Sequence, residues 1–131
     1  MRHVIAIALL IGLAPIRPAE AALPQDPNER AYAFATCLGR YMAVADEADF
    51  YGQNSEDARA RRDLFALLLQ SVTPDAQAAG TQWRSIIQYR IGAKQAQVRL
   101  TRLAKFEIDG QRARTAATVA RNQVRVCDSL V

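Results

Sequence analysis

Histidine is nearly missing from this sequence, and so is most of the chemistry that depends on it. The 131 residues include one histidine, His3, two cysteines, Cys37 and Cys127, and two lysines, Lys94 and Lys105. His3 lies in a leader described below, so the processed chain has none. That excludes Ser-His-Asp and Cys-His catalysis, histidine-containing zinc sites and haem attachment through C-x-x-C-H. Neither lysine shares a recognisable motif with a serine. The six glycines are scattered, so there is no glycine-rich phosphate loop. Sustained alternation of apolar and polar residues is absent, which argues against a sheet. No internal repeat or low-complexity tract is present. Beyond the first 16 residues, no apolar run approaches the length needed to cross a bilayer.

What is present begins with "MRHVIAIALLIGLAPIRPAEAALPQ". Arg2 precedes an apolar run from Val4 to Ile16, followed by Ala19-Glu20-Ala21. This is the pattern of a secretory signal peptide, with cleavage expected after Ala21. Residues 22–131 then form a single domain of 131 − 21 = 110 residues. Their net charge is +3, from 15 basic and 12 acidic side chains. The expected location is a bacterial periplasm or the extracellular space, with no membrane span after cleavage.

Export explains the cysteines. Cys127 follows Cys37 by 127 − 37 = 90 positions. In an oxidising compartment, two cysteines imply one intramolecular disulfide. Closing so long a loop stabilises by up to about 4.6 kcal/mol in the chain-entropy account, and it staples the chain's last turn to the first helix.

The apolar spacing predicts an all-α fold, a small bundle of four helices with short connections. Asn28 is the expected cap of a first helix starting at Glu29, with Phe34, Cys37, Leu38, Tyr41, Met42, Ala45 and Ala48 on its buried face. Gly39 weakens this helix without breaking it, and Gly52 closes it. Ser55 caps the second helix, whose stripe is Leu64, Phe65, Leu68 and Val72. Thr73-Pro74-Asp75 reads as the end of that helix and the start of a third. The third then extends to Ile108, its apolar face rotating near Gly92, where a bend or a change of packing partner is expected. Trp83 joins Ile86 and Ile87 in the expected core, while Tyr51 and Tyr89 are candidates for a pocket edge. Asp109-Gly110 marks the next boundary. The last helix has the stripe Ala113, Ala116, Ala117, Ala120, Val124, Cys127 and Val131. In an alternative arrangement, a bent helix projects beyond its neighbours, exposes an apolar face and favours a homodimer.

Two charge features remain. Asp46, Glu47 and Asp49 cluster at the end of the first helix, without the spaced ligands of a calcium loop or the facing pair of a glycosidase. The larger feature is an imbalance between halves. Residues 22–75 hold five basic and nine acidic side chains, net −4; residues 76–131 hold ten basic and three acidic, net +7. Arg84, Arg99 and Arg102 project from the third helix, and Arg114, Arg121 and Arg125 form a stripe on the fourth. They form either an anion-binding face or internal pairs with Asp46, Glu47, Asp49 and Asp63.

No stretch resembles a family signature closely enough to name one. The reading is a non-catalytic exported binding protein, chaperone-, inhibitor- or immunity-like, for an acidic protein or an envelope component. No cofactor, metal or nucleic-acid partner is implied. The alternatives are a small-ligand carrier with an interhelical pocket, or a carboxylate-dependent enzyme.

Overall fold

A computed structural model of the protein describes residues 23–131. The signal peptide expected from the sequence, with its cleavage after Ala21, lies outside the described residues. Those residues form four helices and no strand: α1 Pro27–Phe50, α2 Glu56–Ala78, α3 Trp83–Phe106 and α4 Gly110–Asp128. None is long and apolar enough to cross a membrane.

Local chemistry sets most of the helix ends. Asp26 caps α1, its carboxylate accepting from the backbone N–H of Asn28 at 2.6 Å and of Glu29 at 3.4 Å. The expected cap, Asn28, lies inside the helix because Pro27 occupies the first position, where its missing N–H costs nothing. The Asn28 side chain instead accepts the Thr81 hydroxyl, tying the α2–α3 connection to the start of α1. At the other end of α1, Gly52 has φ +64°, its N–H reaches the Asp49 carbonyl at 3.1 Å, and the Gln53 N–H reaches Ala48 at 2.8 Å. This paired closure needs a left-handed residue, and glycine adopts it without strain. At the boundary expected at Asp109-Gly110, Asp109 caps α4, accepting from the backbone N–H of Gln111 and Arg112.

The boundary expected at Thr73-Pro74-Asp75 is not there. Helix α2 runs through Pro74 and ends at Ala78. Proline removes one helical hydrogen bond near the end of the helix, and the Thr73 hydroxyl donates to the Leu69 carbonyl at 2.6 Å. Continuation keeps Ala76 fully buried. The break falls at Gly80, where φ is +99° and Thr81 N–H closes onto the Ala76 carbonyl at 2.9 Å. Helix α3 therefore begins at Trp83. The tryptophan sits in the exposed first turn, 48% accessible rather than in the core. Helix α3 is continuous through Gly92.

Helix α1 is the axis of the bundle. It packs along both α2 and α3; α4 packs on α3 and meets α1 over a short stretch. Phe65 of α2 is fully buried, with its ring centroid 6.2 Å from Phe34 and 5.8 Å from Tyr41. Leu69, Ile86 and Cys127 complete the same core. On α2 the buried stripe is Phe65 and Leu69, while Leu64 faces outward. Cys37 and Cys127 are disulfide-bonded, with their Cα atoms 5.5 Å apart. Gly39 faces the α3 backbone: a Cβ there would stand 3.0 Å from the Lys94 nitrogen and closer still to the Arg90 carbonyl oxygen. This glycine lets two helix backbones approach, which outweighs its poor helix propensity.

Candidate functional site

Asp46, Glu47, Asp49 and Asp63 find partners, but not among the arginines singled out above. Asp46 pairs with Lys94 at 2.5 Å and Glu47 with Lys105 at 2.5 Å. Asp49 pairs with Arg59 at 2.7 Å and Asp63 with Arg62 at 2.8 Å. Both lysines are thus engaged, and Lys105 also lies 3.8 Å above the centre of the Tyr51 ring. Hydrogen bonds from Arg59 and then Ser55 hold the Asp49 carboxyl below its ordinary range. Because the Ser55 hydroxyl donates to Asp49 at 2.5 Å, it does not cap α2; the Asn54 side chain accepts from Glu56 N–H instead.

Arg84, Arg99, Arg102, Arg114, Arg121 and Arg125 are all exposed, and none forms an ion pair among the described residues. Arg114 donates to the Gln111 side chain at 3.0 Å, and Arg121 to the Thr118 hydroxyl at 3.3 Å. Arg121 and Arg125 border one groove of about 420 Å³ with Val44 and Val124. Arg99 and Arg102 flank a second depression, of about 590 Å³, walled by Leu103, Phe106 and Ile108. Phe106 is 69% exposed and Ile108 99%. The three-residue connection from α3 to α4 folds them back as an antiparallel hairpin. The six arginines share this hairpin, but they line no single cavity. Arg84 and Arg114 border none of these grooves.

The most voluminous groove, about 850 Å³, runs over α1 between α2 and the end of α4. Tyr41 donates its hydroxyl to Asp128 there, and Arg61 lies 4.0 Å from the same carboxylate. Burial, reinforced by Asp128, pushes the Tyr41 phenol well above its ordinary pKa, so it remains a hydrogen-bond donor. Glu47 in this groove is held by Lys105, and Asp57 and Asp128 are exposed. Among the described residues, no three histidine, cysteine, aspartate or glutamate side chains are placed to hold a metal ion.

Arg40, absent from the sequence reading, occupies the junction of α1, α3 and α4. Its Nη1 donates to the Gln123 carbonyl at 2.9 Å. The available signal was its position three residues after Cys37, which puts a charge beside an apolar stripe. Tyr89 borders the cleft beside Arg40, and Tyr51 borders another between α1 and α3. No known protein family, curated protein or solved structure matches the chain.

Proposed function

We propose that this is a non-catalytic exported binding protein, acting in the periplasm or outside the cell, whose α3–α4 hairpin engages an acidic protein. One observation carries the reading: among the described residues, six exposed arginines of the hairpin have no ion-pair partner, while Asp46, Glu47, Asp49 and Asp63 of α1 and α2 are taken by other cations. Unpaired charge at a surface steers encounter with an opposite charge and contributes little to folding. Exposed Leu103, Phe106 and Ile108 lie beside Arg99 and Arg102. Arginine interleaved with aromatic and aliphatic side chains is the composition of protein interfaces. The signal peptide read from the sequence and the disulfide both suit an exported protein. The carboxylates of the most voluminous groove are exposed or ion-paired, which supports binding over acid–base chemistry.

The test begins with affinity capture by the oxidised protein from periplasmic extract at low salt. The captured protein is then purified and its association rate measured. Arg99→Glu with Arg102→Glu, and separately Arg121→Glu with Arg125→Glu, should each leave the melting temperature within about 2 °C. At least one pair should slow association by about tenfold or more, and the rate should fall as salt rises. A fall in melting temperature with unchanged association would make the arginines structural. Equal retention of the protein by anionic lipid vesicles would replace the acidic protein with an envelope component.

A further inference from the structure

Arg40 is a different kind of cation from those six. Its side chain is partly buried, yet no carboxylate pairs with it among the described residues. Nη1 is engaged by the Gln123 carbonyl and lies 3.5 Å from the Cys127 sulfur. Nε is covered and has no hydrogen-bond partner. Nη2 makes no hydrogen bond among the described residues, and Arg40 lines the adjoining cleft. Burial lowers the pKa of this guanidinium, the mark of a charge held away from water without a counter-ion. Such an arrangement is costly in the free protein, and a bound anion relieves it. The groove beneath Tyr41 offers no such vacancy, because its two cations, Arg61 and Lys105, already face Asp128 and Glu47.

The cleft beside Arg40 measures about 420 Å³ and is shallow and open to solvent. Thr36 and Gln123 supply neutral polar groups at its rim. Gly92, Ala93 and Ala96 of α3 form an apolar floor, and a Cβ at Gly92 would meet nothing within 4 Å. Tyr89 forms an aromatic wall, its ring stacked on Tyr32 at 4.3 Å between centroids. The site therefore offers one fixed positive charge, hydrogen-bonding groups and a short apolar surface.

From this we infer that the cleft binds a small monocarboxylate with a flat apolar body, its carboxylate on Arg40 and its body between Tyr89 and the α3 floor. A monoanion matches the single charge of the cleft. A dianion such as phosphate would keep one negative charge without a partner and would leave the apolar floor unused. Binding here is independent of the hairpin's arginines, which lie outside this lining.

Titration calorimetry of the oxidised protein at about pH 8.5 tests the assignment, with benzoate as probe, benzamide as its neutral counterpart and inorganic phosphate, a dianion at that pH, as the third probe. Benzoate should bind saturably, and benzamide and phosphate each about tenfold more weakly or worse, the ratio expected for losing one charge-assisted hydrogen bond. Arg40→Gln should lose benzoate binding to the same degree. Gly92→Leu provides a second variant that should fold: its Cβ meets nothing within 4 Å, the exchange improves helix propensity, and the longer side chain covers the floor. It should abolish benzoate binding while the melting temperature holds or rises. Benzoate failing to saturate, benzamide or phosphate binding as well as benzoate, or benzoate binding unchanged in Gly92→Leu would each overturn the inference.

Discussion

Helices α1 and α3 are equal in length, 24 residues each, yet ten residues of α1 are buried and only two of α3, Ile86 and Gln97. The difference follows from neighbours. Helix α1 is covered by α2 along one side and α3 along another, with the end of α4 closing over Cys37. Helix α3 has α1 and α4, and its remaining surface carries Arg84, Arg99 and Arg102, with Leu103 and Phe106 exposed. Cohesion is therefore concentrated on α1, and the hairpin's surface is available to something else. The ion pairs follow the same division. Four of the cations that meet acids do so against α1 and α2, whereas of the hairpin's arginines Arg112 pairs only with Glu107 of the hairpin itself, and Arg84, Arg99, Arg102, Arg114, Arg121 and Arg125 face water.

The largest effect should separate two phenylalanines. Phe65→Ala empties a fully buried site against Phe34 and Tyr41 and should cost about 4 kcal/mol in urea unfolding. Phe106→Ala, at 69% exposure, should stay within about 0.5 kcal/mol. A large, concentration-dependent loss at Phe106 would show the hairpin tip to be buried between copies of the chain.

Removing the disulfide comes next. Cys127→Ser should cost about 3 kcal/mol, below the chain-entropy ceiling of about 4.6 kcal/mol. The loss should be uneven. Amide exchange should accelerate in the last turns of α4, whose other ties to α1 are the bonds from Arg40 and Tyr41, before it does in α1. Uniform acceleration would mean that the hairpin and the core unfold as one unit.

The smallest predicted effect contrasts two helix glycines. Gly39→Ala forces a methyl group against the Arg90 carbonyl and should cost about 2 kcal/mol, because backbone cannot swing aside as a side chain can. Gly92→Ala meets open space and should stabilise by up to about 1 kcal/mol. Thermal melts of the two variants should move in opposite directions. The same direction for both would mean that α1 and α3 separate more easily than this close approach implies.

Much of this fold is written in short-range signals. Four helices, the turn at Gly52, the cap at Asp109 and the face of α1 all follow from patterns spanning a few residues, where backbone sterics and spacing decide. The pairing of Cys37 with Cys127 needed only parity and an oxidising compartment, since two thiols allow one bridge. Tertiary structure decided the rest. Pro74 carries a local start signal, but burying Ala76 and closing the helix at Gly80 outweigh it. Trp83 shares the core spacing of Ile86 and Ile87, but with the break at Gly80 it falls on an open first turn, where no neighbour covers it. Charge composition identified the imbalance between the halves but not which cations would be spent on the acids, because ion pairing depends on which side chains packing brings within a few ångströms. For the same reason Arg40 looked like an ordinary flanking charge. Only the meeting of α1, α3 and α4 encloses it without a carboxylate, since burial is a property of neighbours and not of the residue itself.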